Sequence, residues 1–229
     1  MYKTLKRILD IIISPTLLAF LWPLMILIAL IIKIDSNGSV LYKQKRYNGV
    51  SSTFTMYKFR TMQMGARRKM IEKNENPKKL ITRIGKVLRE LHIDELPQLF
   101  NILKGDISFI GVRPQQEKEQ KYLLKNEPGW EKRFEGSVGA VSIERLINIY
   151  PHVQKRLVKK LTNADYLLQK EKRVDYDLYY ANNQSLYNDT IIFIYLIRTV
   201  LSKAYHTFFK RKFSEYDNCD KRWKNRQLY

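Results

Sequence analysis

Between Asp10 and Lys33 the chain reads IIISPTLLAFLWPLMILIALII, 22 residues without a charge, interrupted by Pro15 and Pro23. About 20 predominantly apolar residues cross the hydrocarbon core of a bilayer, so this stretch reads as a membrane segment rather than a helix of a soluble core. It lacks the form of a secretory signal, whose apolar core of about 7–15 residues precedes a small-residue cleavage site. Here the run is longer and ends in Lys33-Ile34-Asp35, so the segment is expected to stay attached. Its flanks conflict over orientation: Lys3, Lys6 and Arg7 precede it, strongly basic sequence follows it, and basic residues near a membrane favour the cytoplasmic side. Two arrangements meet this pattern, a single span kinked at Pro15 and a re-entrant hairpin with both flanks on one side. Pro15 removes one helix hydrogen bond, and Ser14 beside it offers a hydroxyl to cap a freed carbonyl, which makes a bend inside lipid feasible.

The remaining sequence is that of a folded, basic protein. Its 229 residues suit one domain or one plus appendages, and 45% hydrophobic residues with only 9 Gly and 7 Pro exclude a low-complexity chain. Cys219, the single cysteine, cannot form an internal disulfide, so a reducing compartment is the simplest home. A formal charge of +20 calls for an anionic partner: nucleic acid, an acidic membrane surface or a phosphorylated substrate. Lys43 through Arg89 carries fourteen Lys+Arg against Glu72 and Glu75, and this block runs into a carboxylate pair that repels a phosphate chain unless a metal intervenes. With no recognised nucleic-acid motif beside it, a nucleic-acid partner is not expected.

Alternation over Val40–Arg46, the Asn48-Gly49 turn and renewed alternation over Thr53–Thr61 predict a β-hairpin with Lys58 and Arg60 on one strand face. Residues 64–79 read as a solvated helix or loop. Ile84, Val87, Leu88 and Leu91 recur at helical spacing, leaving Arg83, Lys86 and Arg89 on the other side. A second helix is predicted from about Asp94 to Gly105, and Pro114 and Pro128-Gly129 bound the next. With Asp94 as N-cap, Glu95 at the first helical position and Pro97 in the first turn, both carboxylates crown a helix N-terminus. The field there favours their ionised forms, as a nucleophile or a Mg²⁺ ligand requires. The same residues also serve as a plain cap, and the two roles are compatible.

The block ITRIGKVLRELHIDELPQLFNILKGDISFIGVRP, Ile81 to Pro114, resembles the signature of the bacterial sugar transferase family, the monotopic polyprenyl-phosphate phosphoglycosyl transferases. KRILDIIIS before Pro15, KIDSNGSVLYKQKRYNG and FTMYKFRTM match in order and spacing, and YDLYYANNQSLYNDTIIFIYLIRTV resembles the C-terminal portion, so the likeness covers most of a chain of the minimal form. The resemblance implies transfer of a sugar-1-phosphate from a UDP-sugar to undecaprenyl phosphate with release of UMP, initiating surface glycan assembly such as exopolysaccharide or capsule. It places the protein at the bacterial cytoplasmic (inner) membrane with its catalytic domain on the cytoplasmic face, and implies downstream glycosyltransferases as partners. By the same resemblance Asp94 is the nucleophile, Glu95 helps bind Mg²⁺, and Lys58, Arg60, Arg83, Arg89 and Arg113 are candidates for substrate phosphates. Asp106 either joins the site or caps a turn, and His92 packs or faces solvent.

The family breaks its anchor helix at a Ser-Pro pair, which Ser14-Pro15 match, so the re-entrant hairpin is expected. The expected fold is α+β and mainly helical: a monotopic membrane protein with an N-terminal re-entrant helix-break-helix, a small β-hairpin and amphipathic interfacial helices. Residues 1–34 form the anchor, 35–185 the cytoplasmic catalytic domain, and 186–229 an interfacial helix and basic tail. Thr190–Leu201 is too short to span and suits an interface or a buried core, while Tyr205, Phe208 and Phe209 among Lys203, Lys210, Arg211 and Lys212 suit an interfacial stripe or a solvated tail. One segment departs from the family. Where Pro-Gly-x-Thr-Gly and a later Gln are usual, the chain reads Glu135-Gly136-Ser137-Val138-Gly139 with Ser142 at the Gln position. Gly136, Gly139 and Ser142 thus mark the expected nucleotide or sugar region, and donor choice is left open. The alternative is a catalytically silent relative that binds lipid or an assembly partner.

Overall fold

The computed structural model describes residues 1–149, 154–164, 166–167 and 173–209. The side chains proposed for an interfacial stripe from Lys203 to Lys212, and the tail beyond them with Cys219, lie outside what is described. Helices dominate and two sheets of two strands each complete the fold, as the mainly helical α+β expectation requires. The described residues form two compact units, 4–108 in one and 1–3 with 109 onward in the other. The apolar segment therefore packs as part of the first unit, not as a separate appendage.

In that first unit, α1 runs Tyr2–Asp35 and is the one helix among the described residues long and apolar enough to cross a membrane. Helix continues through Ser14-Pro15 and Pro23. A proline deletes one N–H from the ladder, and one missing bond does not end a helix whose neighbours are intact. The cap is also not where it was expected: Thr16 Oγ1 donates to the Ile12 carbonyl at 2.8 Å, while the buried Ser14 hydroxyl has no hydrogen-bond partner. Lys6, Asp10 and Ser14 recur every four residues and form one buried polar stripe. Ile12, Phe20, Trp22, Leu27 and Leu30 are each more than half exposed, an apolar surface that water does not tolerate uncovered.

The hairpin pairs β1 (Leu41–Tyr47) with β2 (Thr53–Phe59), from Leu41 opposite Phe59 to Tyr47 opposite Thr53. Phe54 and Met56 fall on its buried face and Thr53 and Thr55 on its exposed face, the alternation that the sequence predicted. Helix α2 (Ala66–Glu72) and a 3-10 turn, Pro77–Leu80, lead to α3 (Arg83–Glu90), whose N-cap Thr82 accepts from Gly85 N at 2.9 Å. Leu88 is buried but Val87, read as part of the same apolar face, is about half exposed. Helix α4 (Gln98–Lys104) ends at Gly105 with φ +89, where a β-carbon would crowd the Arg7 guanidinium. Arg7 in turn donates to the carbonyls of Ile102 and Leu103 at 2.6 and 2.7 Å, placing a cation on the unsatisfied end of α4.

The second unit holds α5 (Glu117–Asn126), α6 (Ile143–Ile149), α7 (Gln154–Val158), α8 (Arg173–Asn182) and α9 (Leu186–Phe209). Strand β3 (Ser108–Ile110) pairs with β4 (Gly139–Val141), a small sheet that the sequence did not suggest. Trp130, Tyr176 and Tyr179 are among its fully buried side chains, and Trp130 Nε1 donates to Gln120 at 3.1 Å. Helix α9 buries Ile192 but exposes Phe193, Ile194, Ile197 and Leu201 around Arg198, the amphipathic form anticipated for residues 190–201.

Candidate active site

The site is built on the hairpin. Lys58 lies on β2 on the same face as Phe54 and Met56, and its Nζ reaches Glu95 Oε1 at 2.6 Å. The two side chains are 15% and 17% exposed, so the pair is neither in the core nor fully in water. Arg60 lies just past the end of β2, and its N–H extends the ladder to the Val40 carbonyl. Its guanidinium donates to the carbonyls of Ser36 and Asn37 and to Ser36 Oγ at 2.6, 2.8 and 3.0 Å. Arg60 is therefore engaged in holding the chain that leaves α1.

Asp94 and Glu95 occupy a 3-10 turn, Ile93–Glu95, entered through His92 in the left-handed region at φ 58. The expected helix start at Asp94 shifts: α4 begins at Gln98, with Pro97 at its N-cap and no side-chain cap bond. Pro97 has φ −62, ready for helix, and no N–H to satisfy, so the regular ladder starts after it. The carboxylates sit in the turn between α3 and α4 and do not crown α4. That turn is held from below. Ile93 and Leu96, which flank the pair, pack with Ile84 against Ile28, Ile32, Phe59 and Leu88, together with Met25 and Ala29 of α1. The apolar helix thus forms the floor on which the two carboxylates rest.

The other basic candidates are distributed differently. Arg83 is exposed at the start of α3. Arg89 is exposed on the last turn and donates from Nε to Thr61 Oγ1 at 2.7 Å. Gly85 lets α3 lie on the end of the hairpin, since a β-carbon there would stand 2.1 Å from the Thr61 carbonyl oxygen. Asp106 accepts from Asn101 Nδ2 at 2.8 Å, which makes it part of the support. Asn101 itself was not singled out from the sequence. Fully buried, it accepts from Tyr57 N at 3.0 Å and donates to the Thr55 carbonyl at 2.7 Å, taking the place of a third strand on the open edge of β2. An Asn between the apolar Leu99 and Ile102 of an amphipathic helix is the signal that could have found it.

Arg113 belongs to the second unit, where its carbonyl accepts from Arg133 Nη2 at 2.6 Å. Gly139 and Gly136, assigned to the nucleotide or sugar region, have packing reasons there. A β-carbon on Gly139 would stand 2.2 Å from Gly111 N, and one on Gly136 3.0 Å from Ala181 Cα. The close backbone approach is held by Gly111 N to Val141 O, Val112 N to Ser137 O and Gly139 N to Val112 O, each 2.9 Å. Ser142 is buried and its Oγ accepts from Arg145 N at 3.1 Å, a cap for α6. Nearby, Arg133 is fully buried and donates twice to Asp177, at 2.8 and 3.0 Å, with its guanidinium 4.3 Å from the Trp130 ring centroid. Burial pulls the Arg133 guanidinium below its usual range, and Asp177 opposes that pull. Arg133 and Asp177 are 44 positions apart, and no local pattern joins them.

Glu95 and Asp94 are hard oxygen donors of the kind Mg²⁺ takes. That ion is commonly held by one or two carboxylates plus substrate phosphates and water rather than by a protein cage. Among the described residues no cluster of three or more metal-ligating side chains occurs, so the donor set fits this open mode better than a closed one.

Comparison with known proteins gives a concordant result. The family model described as bacterial sugar transferase matches residues 1–203. The chain is 32% identical over 201 residues to an Aeromonas hydrophila protein named UDP-N-acetylgalactosamine-undecaprenyl-phosphate N-acetylgalactosaminephosphotransferase, covering 88% of this chain and 44% of that protein. It is 32% identical over 197 residues to a Caulobacter vibrioides UDP-glucose:undecaprenyl-phosphate glucose-1-phosphate transferase, covering 86% of this chain and 68% of the relative. Over 115 residues it is 43% identical to an exopolysaccharide production protein of Rhizobium leguminosarum, covering 48% of this chain and 55% of that one. The chain thus spans less than half the length of the Aeromonas relative, and the two named donors differ in sugar.

Proposed function

Because the chain belongs to the bacterial sugar transferase family, we propose that it transfers a sugar-1-phosphate from a UDP-sugar to undecaprenyl phosphate. The observation that carries this reading is the Asp94-Glu95 turn, seated on the apolar helix α1 through Ile93 and Leu96 and faced by Lys58. A carboxylate nucleophile held at that depth can meet a phosphate whose lipid stays in the membrane. In the first step an Asp94 carboxylate oxygen bonds to the sugar-bearing phosphorus, the bond to the UMP oxygen breaks, and UMP leaves with the electron pair. In the second an oxygen of undecaprenyl phosphate attacks the same phosphorus and the Asp94 carboxylate departs, leaving a lipid diphosphate sugar. Two displacements at one site replace a direct encounter of two bulky anions.

Glu95, with Asp94 beside it, would hold Mg²⁺, which when bound offsets phosphate charge. Lys58 and, at the rim, Arg83 and Arg89 supply cations for phosphate oxygens. Arg60 acts through position: by fixing Ser36 and Asn37 it sets where α1 leaves the body.

A re-entrant course for α1 completes the reading. A straight helix from Arg7 to Ser36 is about 43 Å long. Both ends are tied to one small body, Arg7 to Ile102 and Leu103, and Ser36 to Arg60. Arg60 lies about 10 Å along the strand from Tyr57, which is bonded to Asn101, the residue before Ile102. Two arginine side chains and this short path span such a distance only at full stretch, which favours a bend, and Pro15 provides the weak point. Both flanks then stay on the cytoplasmic face of the bacterial membrane.

The test is UMP release by the full chain in nanodiscs with undecaprenyl phosphate, Mg²⁺ and a panel of UDP-sugars, against Asp94→Asn. Lipid-dependent release from one donor, with an Asp94 phosphosugar adduct in intact-mass spectra, is the expected result. Silence from folded protein across the panel would favour an unusual donor or the catalytically silent relative, either of which the departure at Glu135–Ser142 permits.

A further inference from the structure

Lys58 approaches Glu95 from an immobile base. It lies opposite Tyr42 in a ladder that pairs every residue of β2, while its four-carbon stem leaves the ammonium able to swing. The 2.6 Å ion pair places that ammonium on Oε1, the type of oxygen a divalent cation needs, so the two cations compete for charge and for space. Partial exposure lets water take over either partner during an exchange. Arg60 and Arg89 are poorer candidates for such a move: the first makes three hydrogen bonds to residues 36 and 37, the second is bonded to Thr61.

We propose that Lys58 is the resident counter-ion of the metal position. It neutralises Glu95 while no divalent cation is bound, is displaced when the cation arrives with a nucleoside diphosphate, and then pairs with a diphosphate oxygen. A metal arriving alone must evict the ammonium from Glu95, whereas a metal arriving with a diphosphate brings a strongly charged oxygen with which the ammonium can pair. Metal and diphosphate therefore strengthen each other's binding, and by linkage the gain is mutual. This inference rests on Glu95 being a metal ligand.

The experiment is Mn²⁺ binding to the full chain in detergent, read by electron paramagnetic resonance with no turnover, first alone and then with UDP. Lys58→Met is expected to bind Mn²⁺ alone about three- to tenfold tighter than the unaltered chain. It should also lose most of the gain that UDP confers. Folded Lys58→Met with unchanged or weaker Mn²⁺ binding overturns the proposal. Lys58→Arg keeps the cation, so its Mn²⁺ affinity should match or fall below that of the unaltered chain; tighter binding there overturns the proposal as well, even if Lys58→Met does not fold. Glu95→Gln separates the two levels. If it leaves Mn²⁺ affinity unchanged, the metal role of Glu95 fails and the counter-ion role with it; if it weakens binding while Lys58→Met does not tighten it, only the counter-ion role fails.

Discussion

Lys58–Glu95 and Arg133–Asp177 are both close ion pairs, at 2.6 and 2.8 Å, yet they sit in opposite surroundings. The first keeps 15% and 17% of its side-chain surface in water, the second 0% and 2%. Desolvation is already paid in the buried pair, and its guanidinium is further committed to the Arg113 carbonyl and the Trp130 ring. Such a pair cannot exchange partners without exposing a buried charge. The partly exposed pair can, because water and a phosphate or a metal offer substitutes at modest cost. Burial, more than distance, separates an ion pair that holds a fold from one that can take part in a reaction.

The contrast can be broken most sharply at Asp94, the proposed nucleophile beside the Lys58–Glu95 pair. Asp94→Asn should lower UMP release by about a thousandfold or more, with circular dichroism and melting unchanged. Normal turnover in that variant would remove Asp94 from the chemistry. In the locked pair the effect should appear in stability. Asp177→Ala strands the Arg133 charge and should cost about 3–5 kcal/mol by chemical denaturation, whereas Arg133→Met combined with Asp177→Leu should recover much of it. Equal stability of the single variant and the unaltered chain would show that the pair does not lock the fold.

Glu95→Gln sharpens the comparison from the other side. It should cost about a hundredfold in turnover and flatten the Mg²⁺ dependence while stability changes by less than about 1 kcal/mol. Retention of full Mg²⁺ dependence would count against the metal role. The smallest effect concerns alkaline pH. Burial pushes the Tyr180 hydroxyl well above its usual range, helped by Asp189 and Tyr2, and burial raises Tyr179 to about 12. In the unfolded chain these groups ionise near pH 10. Their contribution is therefore intact below pH 10 and is lost as pH rises from there toward 12, since the unfolded state gives up its protons first. Melting points measured between pH 9 and 11.5 should fall by a few degrees, and less steeply in Tyr180→Phe. A flat profile would show that these hydroxyls are not held protonated by the fold.

Linear patterning determined a good part of this molecule. A 22-residue run without charge, strict alternation around Asn48-Gly49, and helical spacing closed by Gly105 are local signals, and each appears in the structure within a few residues. The residues around Asp94 by themselves suited a plain cap as well as chemistry, and it was the longer motif from Ile81 to Pro114 that carried the family. Long-range pairing decided the rest. Asn101 on the open edge of β2, Arg60 on the carbonyls of Ser36 and Asn37, Gly139 against Gly111 and Arg133 with Asp177 join residues far apart in the chain. Nothing in the local spacing of either partner encodes the other. The start of α4 moved for the same reason: propensity allowed a cap at Asp94, but packing of Ile93 and Leu96 on α1 with His92 turned left-handed fixed a 3-10 turn there. Sequence alone singled out the candidate site carboxylates and the apolar segment; tertiary packing decided that the segment lies beneath the turn that carries them, because apolar contacts between distant residues form only once the chain has closed on itself.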